Sequence, residues 1–295
     1  MNSVEGLGGS LSERFVETNG IRLHVVTCGP EDGPLVVLLH GFPEFWYGWK
    51  SQIPYLAAQG FRVWVPDQRG YALSDKPERI EAYAMNLLAA DIAGLIDAAG
   101  GGPAYLAGHD FGAMAAWYTS ALYPEKVRRT AILNVPHPEV MFHKVRTSVR
   151  QMMRSSYAAF FQLPWLPELT ARWDRWKTIT EVLRKSSREG TFTESDLERY
   201  RQAWGEPRAY TSMLNWYRCF WRRKNRAPIR DIPVPVLIIW GEQDQFLLPE
   251  MAEESLRYCT AGGRLEKLPQ ATHWVQHEEA GTVNRLLQDW FGSSE

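Results

Sequence analysis

An aspartate at position 110 stands where many enzymes present a catalytic serine, in the run Gly-His-Asp-Phe-Gly at 108–112. An apolar segment precedes this run and an amphipathic helical pattern follows it. In that context the pattern G-x-S-x-G marks a strained strand–turn–helix elbow, which presents one side chain above a sheet. A carboxylate there is suited to displacing a leaving group from an sp³ carbon or to opening a strained C–O bond. The spacing therefore predicts Asp110 as a nucleophile that forms an alkyl ester.

Release of such an ester requires an activated water molecule, which a histidine oriented by an acid can provide. In elbow folds the chain order is nucleophile, acid, histidine. Asp244 follows a late apolar strand in IIWGEQDQF, and His273 precedes the last helix in LPQATHWVQHEE. Glu242 is the alternative acid, but Asp244 lies farther out from the strand. His277 is the alternative base, but it falls at the start of a helix, where we expect a solvated side chain. His109 is expected to pack away from the nucleophile.

A second group of residues lies in HGFPEFWYGW at 40–49, where an apolar strand ends. The backbone N–H groups of Phe42 and Phe111 are predicted to form an oxyanion hole at the Asp110 carboxyl group. The Phe42–Pro43 bond is a candidate cis peptide, because X-Pro bonds in tight turns tolerate that isomer. Trp46 and Trp49 in the same run also suit an aromatic helix start that packs under a lid.

The order of the predicted elements indicates an α/β fold. Strand and helix patterns alternate up to Pro136, which favours a parallel sheet covered by helices on both faces. Residues from about 137 to 226 contain helical stretches and no good strand, and strand character then returns at PVPVLIIWGEQD. We therefore predict a core built from residues 1–136 and 226–295, with a helical cap at 137–225.

At these residues the chain resembles the epoxide hydrolases of the α/β-hydrolase fold, from about Arg14 to the C-terminus. The segments that carry the resemblance are HGFPEFWYGW, DQRGYALSDKP, GHDFG, the ATHW around His273, SSYAAFFQLPWLPE and LNWYRCFW. The resemblance implies a mostly parallel eight-stranded sheet flanked by helices, with an all-helical cap inserted after the sixth strand. It implies hydrolysis of an epoxide to a vicinal diol through an ester on Asp110.

The resemblance also implies two cap tyrosines that hold the epoxide oxygen and protonate it as the ring opens. By motif match these are Tyr157 and Tyr217. A departing alkoxide needs an acid, and phenols aimed from a cap can supply one. The substrate-binding residues expected beside them are Pro43, Trp46, Phe161 and Trp274. Neither a metal nor an organic cofactor is required by this chemistry.

Haloalkane and haloacid dehalogenases are the alternative, because they share the fold and the aspartate nucleophile. Their family pattern has side-chain donors for halide, or an arginine after the nucleophile, whereas this chain has Phe42 and Phe111 at those positions. A catalytically silent binding protein of the same fold would not require all of Asp110, Asp244, His273 and the paired tyrosines. The residues favour an epoxide hydrolase.

Composition restricts the partners. The formal net charge of −1 gives no indication of nucleic acid as a partner. No apolar run reaches the roughly 20 residues of a membrane span, and no secretory signal is recognisable. The three scattered cysteines suit a reduced compartment, so we expect a cytoplasmic protein. The aromatic cap suggests a small apolar epoxide as the substrate, with water as co-substrate. The sequence leaves the oligomeric state open, a homodimer included.

Charge is distributed unevenly along the chain. Residues 137–226 carry 18 Lys and Arg against 9 Asp and Glu, whereas the remainder carries 15 against 25. The segment predicted to form the cap is therefore basic and the predicted core is acidic. A solvated helical face is the simpler interpretation of the basic segment, and a surface for anionic membranes is the alternative.

Overall fold

A computed structural model describes residues 11–222 and 228–293. The strands are β1 (Ser12–Thr18), β2 (Ile21–Cys28), β3 (Leu35–Leu39), β4 (Arg62–Pro66), β5 (Ala104–His109), β6 (Val127–Leu133), β7 (Val236–Gly241) and β8 (Gly263–Leu268). They form one eight-stranded sheet in the order β1-β2-β4-β3-β5-β6-β7-β8. The β1–β2 and β2–β4 pairs are antiparallel, and the other pairs are parallel. The predicted mostly parallel eight-stranded sheet is confirmed.

Local sequence explains the first and the central strands. β1 and β2 form a hairpin, which turns at Asn19 and Gly20, both with positive φ. All six residues of β5 are buried, because this strand lies between β3 and β6 with helices on both faces. Such a central strand places its C-terminal residue, His109, and the turn after it at the middle of the sheet edge.

The helices divide into two groups. Those around the sheet are α1 (Gln52–Ala58), α2 (Met85–Ala98), α3 (Phe111–Leu122), α11 (Glu250–Ser255), α12 (Val275–Glu278) and α13 (Ala280–Gly292). Those between β6 and β7 are α4 (Pro138–Thr147), α5 (Val149–Arg154), α6 (Tyr157–Phe160), α7 (Leu166–Trp173), α8 (Lys177–Ser186), α9 (Glu194–Gly205) and α10 (Ala209–Phe220). The second group is the all-helical insertion after the sixth strand. Its predicted C-terminal boundary, at 225/226, lies outside the described residues.

Hydrogen bonds fix this helical cap on the sheet. The Trp204 indole N–H donates to the Pro43 carbonyl at 2.5 Å, and the Trp216 indole N–H donates to the Arg69 carbonyl at 2.9 Å. The Arg154 guanidinium donates to the carbonyl of Asp244 at 2.9 Å. The cap therefore contacts the loops that follow several strands, and the space between cap and sheet edge is closed on these sides.

Candidate active site

Asp110 lies in the sharp turn between β5 and α3, with φ 51° and ψ −125°. This conformation is strained for a residue with a side chain, and such strain persists where surrounding packing imposes it. The flanking glycines allow that packing. A Cβ atom on Gly108 would lie 2.4 Å from the Gly112 carbonyl oxygen, and one on Gly112 would lie 2.1 Å from the Leu39 carbonyl oxygen. The two glycines are therefore needed because backbone approaches backbone at the elbow.

The loop after β3 supplies a donor to the Asp110 carboxylate. The Phe42 N–H donates to Asp110 Oδ1 at 2.8 Å. Gly41 permits this approach, because a Cβ atom on it would lie 2.3 Å from the Asp110 Cβ. The Phe42–Pro43 peptide is cis, which confirms the prediction. Phe111 is the first residue of α3, so its N–H has no acceptor within the helix.

His273 lies between two carboxylates. Its Nδ1 donates to Asp244 Oδ2 at 2.7 Å, and its Nε2 lies 3.6 Å from Asp110 Oδ2. The acid is fixed in turn by the loop after β7, where the N–H groups of Phe246 and Leu247 donate to Asp244 Oδ1 at 2.7 and 3.0 Å. The imidazole is thereby oriented with Nε2 towards the elbow.

The rejected alternatives occupy other places. Glu242 is partly exposed and lies 3.7 Å from the Lys267 ammonium group. The expectation of a solvated His277 is wrong: its side chain is 3% exposed, and its Nε2 donates to Glu44 Oε1 at 2.6 Å. The physical reason is that α12 packs against the turn that contains Glu44, so a buried carboxylate takes the imidazole as its partner.

The charges at His273 and Asp110 reinforce one another. Burial acts to lower the pKa of His273, but the carboxylates of Asp244 and Asp110 outweigh it and raise that pKa well above its usual value. Burial acts to raise the pKa of Asp110, but the contacts with His273, the charge of His109 and the Phe42 N–H hold it below its usual value. Asp110 is therefore an ionised carboxylate that faces an imidazolium in the resting protein.

The two cap tyrosines lie opposite the elbow. Tyr217, on α10, packs edge-on against Phe111 with ring centroids 4.6 Å apart. Tyr157 begins α6, and its ring centroid is 5.9 Å from that of Tyr217. Burial and the nearby Asp110 charge raise the pKa of Tyr157, although a hydrogen bond with Tyr217 acts to lower it. Burial and the charges of Tyr157 and Asp110 raise the pKa of Tyr217. Both phenols thus keep their protons at neutral pH and can act as donors.

A cavity of about 310 Å³ separates the cap from the sheet edge and reaches Asp110, His273, Tyr157 and Tyr217. A smaller one, of about 50 Å³, touches the same four residues from the side of α4 and α10. The lining of the larger cavity is mostly apolar, and it includes the predicted Pro43, Phe161 and Trp274. The four polar side chains line one otherwise apolar cavity, which is the usual form of a site for a small organic ligand.

Trp46 requires a correction, because it is not among the residues that line this cavity. Its side chain is buried in the core beside Phe45 and Tyr47, with ring centroids 5.8 and 5.7 Å away. Its backbone N–H donates to Asp67 Oδ1 at 3.0 Å. That bond holds the backbone of the turn, and the indole is a core side chain and not part of the cavity wall.

Comparison with known proteins identifies the family. The family model for the alpha/beta hydrolase fold matches residues 34–280. Human Epoxide hydrolase 4 is 35% identical over 279 residues, which cover 92% of this chain and 76% of that protein. The chain belongs to the epoxide hydrolases of the α/β-hydrolase fold. A crystal structure of the Bacillus megaterium epoxide hydrolase with an inhibitor matches with a TM-score of 0.86 and 29% identity, covering 95% of this chain and 100% of that one. The AB hydrolase superfamily protein YfhM of Bacillus subtilis is 44% identical over 277 residues, 94% of this chain and 96% of that protein.

The structure of this family member adds Asn134, which sequence reasoning missed. Asn134 follows β6 with φ 48°, and its amide N–H donates to Asp244 Oδ2 at 2.7 Å while its amide oxygen accepts from the Gly241 N–H at 2.8 Å. It therefore ties the acid to the end of β7. The available signal was a polar residue directly after the buried strand TAIL, at the sheet edge that carries the other site residues.

A buried cluster around Glu44 was also missed. Its carboxylate accepts from the Tyr200 hydroxyl at 2.7 Å and from the Gln276 amide at 2.9 Å, in addition to His277. His109 Nδ1 lies 3.3 Å away, and His109 Nε2 donates to the His273 carbonyl at 2.9 Å. Burial acts to raise the pKa of Glu44, but His277 and His109 outweigh it and hold that pKa well below its usual value. The cluster joins the cap to the loop of His273.

Proposed function

We propose that the protein hydrolyses a small apolar epoxide to a vicinal diol in two steps, through a covalent ester on Asp110. The observation that carries this proposal is the arrangement across one apolar cavity of an ionised carboxylate, a histidine–aspartate pair and two protonated phenols. The carboxylate can attack carbon on one side of the ligand, while the phenols face the oxygen on the other. Asp110, Asp244, His273, Tyr157 and Tyr217 are the proposed catalytic residues.

In the first step, Asp110 Oδ2 attacks an epoxide carbon and forms a C–O bond, as the strained C–O bond of the ring breaks. Oδ1 is engaged by the Phe42 N–H, which leaves Oδ2 as the attacking atom. The departing oxygen receives a proton from Tyr157 or Tyr217, so no free alkoxide forms. The products of this step are a hydroxyalkyl ester and a tyrosinate.

In the second step, His273 becomes the base. The charges of Asp244 and Asp110 together hold the His273 pKa high; ester formation removes that of Asp110 and lowers this pKa, so the imidazolium gives its proton to the tyrosinate. Neutral His273 Nε2 then takes a proton from water, whose oxygen attacks the Asp110 carboxyl carbon. The Phe42 N–H, with that of Phe111, stabilises the negative oxygen of the tetrahedral intermediate. Collapse expels the diol, which receives the proton held by His273.

The cavity supports a ligand of modest size. A volume of about 310 Å³ is at the lower end of the range for small-molecule sites. Apart from the catalytic groups its walls are largely aromatic and aliphatic, and Phe42, Phe161 and Tyr217 form a continuous set of ring contacts at 5.5, 5.1 and 4.9 Å. We therefore propose an aryl or short alkyl epoxide, of the size of styrene oxide, as the substrate class.

Halide release is the outcome that would replace this proposal. The Trp274 indole N–H lines the cavity, but it donates to the Ser186 hydroxyl at 2.9 Å and so is not available to a halide ion. The experiment is to incubate the protein with styrene oxide and, separately, with a bromoalkane of similar size. Diol from the epoxide is the expected result. Bromide release without diol formation would assign the site to dehalogenation.

The covalent step has its own test. A single turnover in H₂¹⁸O, with protein in excess over epoxide, is expected to leave the label in the Asp110 carboxylate, because water attacks the ester carbonyl. Mass spectrometry of the peptide that contains Asp110 measures the label. Label found only in the diol would contradict the ester and favour direct attack of water on the epoxide.

The compartment is part of the same proposal. Buried Cys28 and Cys259 are not in disulfides, as suits a reducing compartment, and we propose the cytoplasm. No helix in the described part of the chain has the length and apolar character needed to cross a bilayer.

A further inference from the structure

Helix α7 exposes its apolar face instead of burying it. Leu166, Leu169 and Trp173 follow one another at helical spacing and are 46%, 62% and 92% exposed. The opposite face is the one that packs, because Pro167 and Ala171 are buried. An amphipathic helix on a globular protein usually turns its apolar stripe inward, and an exposed apolar patch of this kind marks a site of interaction.

Residues before α7 extend the exposed apolar surface. Leu163 is 43% exposed and Trp165 is 76% exposed. We call the set of Leu163, Trp165, Leu166, Leu169 and Trp173 the α7 face. It contains two tryptophans, which occur preferentially where an apolar medium meets water.

The segment that contains the α7 face carries mainly positive charge on its exposed side chains. Between residues 146 and 178, all of which the structure describes, the exposed charged side chains are Arg146, Arg150, Arg172, Arg175 and Lys177. The stretch also contains two acids. Glu168 pairs with the buried guanidinium of Arg218 at 2.8 Å, and Asp174 Oδ2 accepts from the Thr178 N–H at 2.9 Å. With three cations, Arg172, Arg175 and Lys177, against Asp174, the border of the α7 face carries more positive than negative charge.

We propose that the α7 face docks on the surface of a phospholipid bilayer rich in anionic lipids. Its tryptophans and leucines would enter the interface, while Arg172, Arg175 and Lys177 contact the headgroup phosphates. Charge complementarity selects this occupant over a second copy of the chain. A two-fold dimer through this face would bring the same cations against one another.

The position of the cavity suggests that docking delivers substrate from the bilayer, an inference that rests on the proposed function. Thr170 and Thr178 line the cavity, and each lies next to a residue of the α7 face or of its basic border. Thr170 follows Leu169 directly, and Thr178 follows Lys177. An apolar epoxide dissolved in the bilayer would then reach Asp110 from the docked side without crossing bulk water.

The test is co-sedimentation of the full chain with vesicles of phosphatidylcholine alone or with about 30 mol% phosphatidylglycerol, at low salt. We expect binding to the anionic vesicles only. We expect binding to the anionic vesicles to be weakened by about tenfold or more in two variants, L169S/W173S and R172E/R175E/K177E. Matched controls use other exposed residues, F15S/L122S for apolar character and R79E/R128E/R257E for charge, and are expected to bind as the unmodified chain does.

Hydrolysis of a water-soluble epoxide reports folding, because the altered residues lie outside the catalytic groups, and it is expected to be unchanged. Failure of both kinds of vesicle to sediment the protein would overturn the docking but leave the hydrolase proposal intact. So would equal binding by the variants and their controls. Concentration-dependent dimers of the unmodified chain that L169S/W173S abolishes, without vesicle binding, would assign the α7 face to a contact between copies.

Discussion

At the scale of single residues, the site is organised by the charge on Asp110. This carboxylate and that of Asp244 lie on either side of His273, so the imidazole is cationic while Asp110 is ionised. Conversion of Asp110 to an ester removes one of the two charges. In the proposed mechanism the same side chain serves first as the nucleophile and then, as an ester, allows His273 to act as a base, so the histidine has to contact both acids.

A substitution of His273 by Gln should separate the two steps. Alkylation needs the carboxylate and a phenol, whereas hydrolysis needs the base, which contributes about 10²- to 10⁴-fold to a proton-transfer step. We expect one equivalent of substrate to be consumed quickly and turnover to fall by that factor. Intact mass spectrometry should show the protein with one substrate added. Asp110→Asn is the control, and an adduct on it would contradict the assignment.

The tyrosines are tested with a third tyrosine as the control. Tyr210 also lines the cavity, two helical turns before Tyr217 on α10. We expect Tyr157→Phe and Tyr217→Phe each to slow ester formation, and the double variant to lose about 10²-fold or more, because the alkoxide then has no acid. Stopped-flow single turnovers measure the rate. A Tyr210→Phe variant as slow as the double variant would assign the acid elsewhere.

At the scale of elements, the elbow is defined by how closely β5, α3 and the end of β3 approach one another. Gly108, Gly112 and Gly41 each lie against backbone or against Asp110 itself, at distances that leave no room for a Cβ atom. The strained turn is therefore maintained by the packing of three elements. Asn134, which follows β6, hydrogen-bonds to Asp244 and to Gly241 at the end of β7, and so holds the ends of these two strands together.

Gly112→Ala should destabilise the fold through this packing. The added methyl group meets backbone atoms that cannot move independently, so we expect the free energy of unfolding to fall by about 1–3 kcal/mol or more. Gly205→Ala is the matched control. Gly205 ends α9 with no atom within 4 Å of a Cβ position, and a helical alanine is favoured over glycine. Urea denaturation measures both, and equal stability of the two variants would contradict the packing explanation.

At the scale of the whole molecule, cap and sheet are joined by buried polar contacts as well as by aromatic packing. Glu44 is the centre of one such cluster: it accepts hydrogen bonds from Tyr200 of the cap and from His277 and Gln276 of α12, and it lies beside His109. The position of the base is thus coupled to the docking of the cap. A substitution of Glu44 is expected to affect both the stability of the fold and catalysis.

Glu44→Gln leaves His277 without its buried anionic partner, so we expect the free energy of unfolding at pH 7 to fall by about 3–5 kcal/mol. Because the pKa of Glu44 is depressed in the folded state, its contribution is complete above the unfolded pKa of about 4.3 and is lost as pH falls through the folded value. Denaturation at several pH values should therefore show the gap to the unmodified protein narrowing below about pH 4.

Glu198→Gln is the control for this effect. Its exposed ion pair with Arg201 is solvated, so the substitution should leave the unfolding curve unchanged. A gap between the Glu44→Gln variant and the unmodified protein that stayed constant from pH 7 to pH 3 would show that the loss comes from packing and not from the carboxylate charge.

The sequence alone determined the fold class and the chemistry of the site. Glycine spacing around Asp110, apolar strand patterns and chain order are local properties, so they predicted the elbow, the mostly parallel sheet and the order of Asp244 and His273. The cap tyrosines came from motif resemblance and not from spacing. Their roles, like the boundaries 1–136, 137–225 and 226–295, remain predictions.

Only the tertiary structure decided which polar residues are buried together. Glu44, His109, Tyr200 and His277 come from four segments far apart in the chain, and no local pattern indicates that their side chains meet. Trp46 was misplaced for the same reason, because the burial of its indole in the core is a result of tertiary packing. Periodicity predicts which face of a helix or strand is apolar, but tertiary packing decides what that face contacts. The outward-facing apolar stripe of α7 is the clearest instance, since its sequence alone would place it in the core.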